Sequence, residues 1–410
     1  MNDLLKKLKS SGLIKNGNEI SRNEVRSFPR LEEVIKGDWI FNRTGNVFHI
    51  HELLPYGYEY GNATFTRNID PLALYSFENI PKKYATDIKN IVFLDIETSN
   101  LSLGAGSFVF LIGICYFSDI GVETELFLID HPGSEQALLE TFQAEISRFE
   151  IISSYNGKSF DIPFLKNRYA MHQLDEVFNY KFHIDLLTYA RRLWKLSIES
   201  CKLANIETSI LELERDEEEI PGWLVPQIYF DFLNQRDPNL LKGVIYHNKM
   251  DVISLAALFQ HFIFVLNETS SEMIYDNKDY FALAKLYSRM NAVEKAKYYY
   301  GLGFKNISDN HFIAYYCWEY GMLLKNNNEF EEALFYWKKS GNAGIQASCI
   351  ELSKYYEHKI KNYTIALKWA KKAQEMLGNN KQINKQNAED ISQVQHRISR
   401  IKRKIKKHEK

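Results

Sequence analysis

The spacing of apolar and polar residues changes character near residue 90 and again near residue 267. Between these points, short apolar runs of strand length alternate with segments of helical period, which is typical of an α/β domain. Strands are predicted in the segments IVFLDIE, VFLIGICYF, ETELFLID, IISSYN and FHID. The long segment VIYHNKMDVISLAALFQHFIFVL has few polar positions, so we expect a helix that is largely buried.

Residues 1–88 predict an N-terminal extension with short strands of its own. The segment WIFNRTGNVFHIHEL alternates apolar and polar positions around a Thr-Gly-Asn turn. His49 and His51 lie two residues apart on one face of this strand, where they could bind a metal ion. Because the sequence offers no third ligand beside them, we favour a structural role.

Beyond residue 267 the strand pattern ends and helical periodicity continues to the C-terminus. Ala296, Ala333 and Ala366 occupy equivalent points in three similar segments, 37 and then 33 residues apart. This spacing resembles tetratricopeptide repeats, and a non-repeating helical bundle is the alternative. The predicted domains are therefore the extension, an α/β domain over residues 89–266, helical repeats over 267–378 and a basic helical tail over 379–410.

Composition excludes several classes of protein. A chain of 410 residues with 45% hydrophobic and 25% charged residues can build two or three folded domains. No apolar run reaches the ~18 residues of a membrane span, and the N-terminus lacks a signal-peptide pattern, so we expect a cytoplasmic protein without membrane contact. The four cysteines form no C-x-x-C pair and indicate buried thiols. The formal net charge of −1 decides nothing about partners, and the basic residues 397–410 are expected to form a solvated helix end.

The candidate chemistry begins at the end of the first predicted strand of the α/β domain. Asp95 and Glu97 are separated by one residue, so both side chains point to the same face of the strand. Two neighbouring carboxylates repel each other unless a cation lies between them, and oxygen-only sites favour Mg²⁺ or Mn²⁺. A polar strand end is the alternative interpretation of this pair alone.

Further acidic residues follow at the points where an α/β fold would bring them to the same crevice. Asp161 comes after the strand IISSYN and near a helix start. His247 and Asp251 are four residues apart on one face of the long apolar helix. A charged residue in such a helix should be paired or should bind a metal ion.

These motifs, D-x-E, N-x(4)-D and H-x(3)-D, resemble those of the DEDD superfamily of metal-dependent 3′–5′ exonucleases. Asp161 follows Asp95 by 66 residues and precedes Asp251 by 90, in keeping with that superfamily. More closely, the chain resembles the YprB-like ribonuclease H-like proteins, bacterial exonucleases with a tetratricopeptide C-terminus. The segments that carry this resemblance, over roughly residues 90–265, are LDIETSNLSLGAG, SYNGKSFDIPFLKNR, HIDLLTYARRLW, IPGWLVPQIYFDFL and YHNKMDVISLAAL. The implied fold is an α/β ribonuclease H-like domain, a mixed sheet flanked by helices, followed by the all-α repeats.

The resemblance implies that Asp95, Glu97, Asp161 and Asp251 bind two Mg²⁺ or Mn²⁺ ions. It also implies a residue that deprotonates or orients the attacking water. Superfamily members usually have a His five residues before the last Asp or a Tyr four residues before it, whereas this chain has Tyr246 at five and His247 at four. We favour His247, because a pKa near ~6.5 suits proton transfer at neutral pH and a tyrosine pKa near ~10 does not.

Residues near the motifs are candidates for contacts with the substrate. These are Thr98, Asn156, Lys158, Phe160, Arg191 and Arg192. His183 and Asp185 form a second H-x-D pair, in which we expect Asp185 to be structural or to face the substrate.

The resemblance favours DNA as the substrate, a role in DNA repair or processing and a helicase as a partner of the repeats. The alternatives are an RNA exonuclease, an endonuclease of the same fold and a non-catalytic scaffold. The residues themselves do not distinguish DNA from RNA.

Overall fold

The computed structural model describes residues 28–71, 78, 80–85, 87–100, 106–215, 220–267, 275–378 and 385–408. The prediction for the first 27 residues and for part of the segment LDIETSNLSLGAG lies outside these ranges. The chain forms two compact units, which comprise residues 1–273 and 274–410.

The first unit is built on a mixed β-sheet. The strands are β1 (Asp38–Asn42), β2 (Gly45–Pro55), β3 (Glu59–Tyr60), β4 (Ala63–Thr64), β5 (Ile91–Thr98), β6 (Val109–Phe117), β7 (Gly121–Leu128), β8 (Ile151–Ser154) and β9 (Phe182–Asp185). Seven of them form one sheet in the order β1-β2-β7-β6-β5-β8-β9, and β3 and β4 form a separate hairpin. Strand β5 runs antiparallel to β6 and parallel to β8. The predicted mixed sheet is thereby confirmed.

Helices cover both faces of this sheet. They are α1 (Leu31–Val34), α2 (Lys82–Ala85), α3 (Glu135–Ile146), α4 (Asp161–Met171), α5 (Leu186–Leu193), α6 (Leu203–Ser209), α7 (Val225–Gln235) and α8 (Leu241–Leu266). Phe93 lies on the same face of β5 as Asp95 and Glu97, and its ring contacts Phe259 of α8 with centroids 5.3 Å apart. The opposite face of β5 packs into the main core together with α3. Helix α8 therefore covers the face that carries the two carboxylates.

The N-terminal extension contributes strands β1 and β2 to the same sheet as the α/β domain. Strand β2 pairs antiparallel with β7 along its length, and β1 continues the sheet beyond it. Unpaired edge strands expose backbone hydrogen-bonding groups, which explains why β7 recruits a partner from the extension. The Tyr60 hydroxyl of β3 also donates to the Met250 carbonyl at 3.2 Å and lies 2.7 Å from the Ser254 hydroxyl. The extension thus completes the sheet and supports α8.

The paired histidines of β2 make strand-to-strand contacts. The Nε2 atoms of His49 and His51 lie 3.1 Å from carboxylate oxygens of Glu125 and Glu123 on β7, respectively. These contacts give both histidines a structural explanation.

Helix α8 is long because it forms the centre of the first unit. The segment Pro238–Leu266 is long and apolar enough to cross a membrane by length and composition, and 78% of its most apolar window is buried in the protein. A core helix that packs against β5, β6 and β7 has the same properties.

The second unit is entirely helical in its described residues. Its helices are α9 (Asp279–Arg289), α10 (Val293–Asn306), α11 (Asn310–Asn326), α12 (Phe330–Asn342), α13 (Gln346–His358), α14 (Tyr363–Gly378) and α15 (Lys385–His408). The first six pack as three successive hairpins. Ala296, Ala333 and Ala366 are fully buried at matching places in the second helix of each hairpin. The hairpin repeat is therefore present, and its assignment to the tetratricopeptide class stays a prediction.

The expectation of a solvated basic tail is wrong for one face of α15. Val394, Ile398 and Ile401 are buried in a core shared with α14. The Glu357 carboxylate of α13 has no solvent exposure and accepts hydrogen bonds from three cationic side chains of α15. These are Arg397, Arg400 and Lys404. The positive charge of the tail is thus partly used to neutralise a buried carboxylate.

Candidate active site

The four predicted acidic residues converge on one side of β5, although they come from three separate segments. Asp95 and Glu97 alternate with buried neighbours along the strand. Asp161 is the first residue of α4, and Asp251 lies near the middle of α8. They lie close enough to interact electrostatically, since Asp251 contributes to the pKa shifts of Asp95, Glu97 and Asp161.

Burial and mutual repulsion raise the pKa values of this group. The pKa of Asp95 is raised well above its usual value by burial and then by Asp251, Glu97 and Asp161. The pKa of Glu97 is raised in the same way, by burial and by Asp251 and Asp161. Burial raises the pKa of Asp161 to about 7, with smaller contributions from Asp185 and Asp251. A nearby cation would reverse these shifts by stabilising the charged carboxylates.

Asn248 contacts the first carboxylate and was missed by the sequence analysis. It is fully buried on α8, and its Nδ2 donates a hydrogen bond of 2.7 Å to Asp95 Oδ2. Space for it is left by Gly113 of β6, which pairs with Asp95 in the sheet. A Cβ atom at Gly113 would lie 2.1 Å from Asn248 Oδ1. A glycine inside a buried strand signals such a close approach, and this one was visible in VFLIGICYF.

His247 lies beside the carboxylates, in agreement with its predicted position. Its Nε2 is 3.9 Å from Glu97 Oε1 and 3.7 Å from Asp251 Oδ2. Gly222 allows the chain to pass close to this ring, since a Cβ there would lie 3.3 Å from Nε2. The choice of His247 over Tyr246 as the residue that handles a proton stays a prediction.

Arg215 is a second residue that the sequence analysis missed. Its guanidinium group forms ion pairs with Asp251 and with Glu207 of α6. The side chain is only 8% exposed. Its position inside the acidic stretch ELERDEEE gave no sequence signal that distinguishes it from a solvated surface charge.

The donor set suits a divalent cation in its chemistry. Four clustered carboxylates provide the oxygen ligands that Mg²⁺ and Mn²⁺ prefer. The pKa values of Asp95, Glu97 and Asp161 are raised, so a cation beside them would stabilise their charged forms. Within the described ranges, however, no three His, Cys, Asp or Glu side chains are close enough to hold one ion. Asp251 is instead engaged by Arg215.

The loop between β8 and α4 is fixed by Asp185. This carboxylate caps α5 through the Leu187 amide at 3.1 Å and accepts hydrogen bonds from the amides of Asn156 at 2.9 Å and Lys158 at 3.2 Å. Asn156 has a left-handed backbone with φ 66°, as a turn-forming asparagine does. Asp185 is thus structural, and it determines where Asp161 begins its helix.

His183 also contacts the start of the loop between β8 and α4. Its Nε2 lies 2.7 Å from the Ser154 hydroxyl, and burial together with Lys158 lowers its pKa to about 4. The imidazole is therefore neutral at physiological pH. Like Asp185, His183 has a structural explanation.

The candidate substrate residues divide into exposed and structural ones. Asn156, Lys158 and Arg191 are exposed, and Phe160 is half-buried against Phe164 with ring centroids 5.8 Å apart. Two members of the set face the protein instead of a nucleotide. The Thr98 hydroxyl is buried and donates to the Asn100 carbonyl at 2.9 Å, and Arg192 stacks over the Tyr189 ring at 5.5 Å.

A cavity of about 600 Å³ lies beside the β8–α4 loop. Its walls include Tyr155 and Asn156, together with the side chains of Arg191, Lys195 and Lys202. Glu199 is the acidic residue in this lining. Asn156 of the N-x(4)-D motif therefore lines the cavity, and the charged side chains of the lining sum to a net positive charge.

Comparison with known proteins agrees with this arrangement. Residues 92–263 match the RNase_H_2 family of the RNase_H superfamily. The chain is therefore a ribonuclease H-like protein, a class whose nucleases generally use divalent metal ions and bind nucleic acid.

A relative with higher identity identifies the family within this superfamily. The Bacillus subtilis (strain 168) protein named "Uncharacterized protein YprB" is 34% identical over 292 residues, which are 69% of this chain and 69% of YprB. The chain belongs to the family of YprB, as its motifs predicted. A solved structure, the family B DNA polymerase from the hyperthermophilic archaeon Pyrobaculum calidifontis, aligns with 16% identity and a TM-score of 0.34. That alignment covers 49% of this chain and 29% of the polymerase, and the low score gives it no weight.

Proposed function

We propose that this protein is a two-metal 3′–5′ exonuclease that hydrolyses phosphodiester bonds in nucleic acid. The observation that carries this proposal is the cluster of four carboxylates on β5, α4 and α8. Burial and the neighbouring carboxylates raise the pKa values of Asp95, Glu97 and Asp161. Such a cluster is costly to bury unless positive charge enters it. Membership of the ribonuclease H superfamily supports hydrolysis as the reaction.

The roles follow from the positions of the side chains. Bound divalent ions would polarise the scissile phosphate and stabilise the charge on the leaving 3′ oxygen. Asp95, Glu97, Asp161 and Asp251 would hold these ions, with Asp95 shared and Glu97 next to the attacking water. His247, whose Nε2 lies 3.9 Å from Glu97, would orient that water or accept its proton. Asn248 keeps the Asp95 carboxylate in place through its hydrogen bond.

The basic cavity supports a path for the substrate strand. Asn156 and Arg191 line the same cavity, and Asn156 is five residues from Asp161. A phosphodiester backbone that leaves the carboxylates along this side would meet the charges of Arg191, Lys195 and Lys202. Contacts of this kind are insensitive to sequence, as an exonuclease requires.

The decisive experiment uses end-labelled single- and double-stranded DNA and RNA with Mg²⁺ or Mn²⁺. The parent should shorten a substrate stepwise from its 3′ end, and Asp95→Asn and Asp251→Asn should each lose at least about a hundredfold in rate because metal binding fails. Asp119→Asn is the matched control, since Asp119 is exposed at the surface. Equal rates in all four proteins would refute the assignment of these residues.

The same assay decides the finer questions. We propose DNA as the substrate and DNA repair or processing as the role, with the helical second unit binding a protein partner such as a helicase. Stepwise loss of RNA alone would make the protein an RNA exonuclease, and internal cuts would make it an endonuclease. Removal of residues 274–410 should weaken partner binding and preserve cleavage, because the carboxylates belong entirely to the first unit.

A further inference from the structure

Arg215 connects two buried acidic side chains on different helices. Its guanidinium group contacts Glu207 Oε1 on α6 and Asp251 Oδ1 on α8. Glu207 is 1% exposed and Asp251 is 16% exposed. One cation thus serves two carboxylates, and only one of them belongs to the candidate metal site.

This contact limits what Asp251 can bind. Its Oδ1 accepts from Arg215, and its Oδ2 lies 3.7 Å from His247 Nε2. A metal ion and a guanidinium group cannot approach the same carboxylate oxygen closely, because both are positively charged. The described residues contain no ready-made group of three metal ligands, in keeping with an Asp251 carboxylate that is already engaged.

We propose that Arg215 competes with a divalent cation for Asp251 and is retained by Glu207 when the cation binds. This inference rests on the proposed metal-dependent function. A guanidinium group stays charged at all physiological pH values, so a buried one needs an anionic partner. Glu207 is such a partner, and it makes the exchange at Asp251 possible without leaving a buried positive charge alone. Arg215 is then a positioning residue that sets the metal affinity of the site.

The test is Mn²⁺ binding to the full chain, measured by isothermal titration calorimetry without substrate. The double variant Glu207→Gln/Arg215→Gln removes one negative and one positive charge together and frees Asp251. If Arg215 engages Asp251 more than about nine-tenths of the time, the double variant should bind Mn²⁺ about tenfold more tightly. Glu207→Gln alone should bind Mn²⁺ more weakly, because Arg215 then loses one of its carboxylate partners and is held more strongly by Asp251. Arg67→Gln, which changes an exposed arginine, should leave the affinity unchanged.

The opposite signs of the two effects distinguish competition from a structural role. A purely structural Arg215 predicts equal or weaker Mn²⁺ affinity in both variants, and that result overturns the inference. Arg215→Lys should give a Mn²⁺ affinity between those of the parent and the double variant. A lysine keeps the charge but cannot contact both carboxylates with a planar fork. If the double variant does not fold, Arg215→Lys decides instead, and a Mn²⁺ affinity no higher than that of the parent refutes the proposal.

The outcomes also separate this inference from the proposed function. In one outcome, Asp95→Asn loses Mn²⁺ binding while Glu207→Gln and the double variant Glu207→Gln/Arg215→Gln keep the affinity of the parent. That result retains the metal site and rejects the competition between Arg215 and the cation. Absence of Mn²⁺ binding in the parent and in the double variant rejects the metal-dependent function, and this inference falls with it.

Discussion

Replacement of Gly113 by alanine should disturb the candidate active site without altering any carboxylate. Gly113 lies opposite Asp95 in the pairing of β5 with β6. An added Cβ would lie 2.1 Å from Asn248 Oδ1 and 3.0 Å from both Asn248 Cγ and Leu126 Cδ2. Asn248 must therefore move, and its 2.7 Å hydrogen bond to Asp95 Oδ2 is lost.

Two contributions determine the size of the effect. Overpacking of a buried site costs about 1–3 kcal/mol, and the loss of a hydrogen bond to a carboxylate costs about 1.5–3 kcal/mol when that carboxylate is charged. The raised pKa of Asp95 shows that its charged form is disfavoured when no cation is bound, so the second contribution should be larger in the metal-loaded protein. We expect a loss of about 1–3 kcal/mol in the free energy of unfolding without metal and a larger deficit with it.

Urea unfolding with and without Mn²⁺ measures this difference, and cleavage of labelled DNA measures its consequence. Gly301→Ala is the matched control, because a Cβ at Gly301 meets no atom within 4 Å and helical alanine is favoured over glycine by about 1 kcal/mol. The control should therefore be as stable as the parent or more so. A Gly113→Ala protein that matches the parent in stability, in Mn²⁺ affinity and in cleavage would refute the role given to Asn248.

Three further predictions concern charge. Without divalent ions, the unfolding free energy should fall as the pH rises from about 4 to about 7. The folded pKa of Asp161 is about 7 and its ordinary pKa is 3.8, so the folded state holds the extra proton in that range. Asp161→Asn should flatten this dependence of stability on pH, and an unchanged slope would contradict the assignment. Glu357→Gln should destabilise the helical unit by about 1–3 kcal/mol in thermal unfolding, because it leaves three cations of α15 without their shared carboxylate, whereas Lys402→Gln at an exposed site of the same helix should have little effect. Arg191→Glu should weaken binding of single-stranded DNA and reduce the dependence of the affinity on salt, and a salt dependence equal to that of the parent would remove Arg191 from the substrate path.

Much of the fold was predictable from the sequence because its patterns are local. The apolar strands β5 and β6 begin and end close to the predicted segments, and the apolar α8 is the buried helix expected. The place of the N-terminal strands in the sheet was not predictable, for a different reason. Local patterns predicted β1 and β2 as strands, but the pairing of β2 with β7 joins residues more than 60 positions apart in the chain. No feature of either strand alone specifies that partner.

The candidate site likewise has residues that local sequence patterns predict and residues that depend on tertiary structure. The four acidic residues were predictable because a carboxylate in an apolar strand or helix stands out against its neighbours. Arg215 was not, because a single arginine in a run of acidic residues looks like a solvated ion pair. Its role depends on the approach of the α6 region to α8, which is a tertiary property. Thr98 contacts the Asn100 carbonyl and Arg192 contacts the Tyr189 ring, and the substrate roles of Thr98 and Arg192 stay predictions.

The energetics of the carboxylate cluster argue against a purely structural role for the first unit. The shift of the Asp161 pKa from 3.8 to about 7 makes ionisation in the folded protein unfavourable by on the order of 4 kcal/mol. Arg215 offsets part of this cost at Asp251, yet it is shared with Glu207 and does not contact Asp95 or Glu97 in the hydrogen bonds described. A scaffold would be more stable with apolar or amide side chains at these positions. The cost becomes useful when a cation is bound, because each carboxylate that repels its neighbours then contributes to binding. The instability of the empty cluster and its proposed affinity for metal ions are therefore two consequences of the same arrangement.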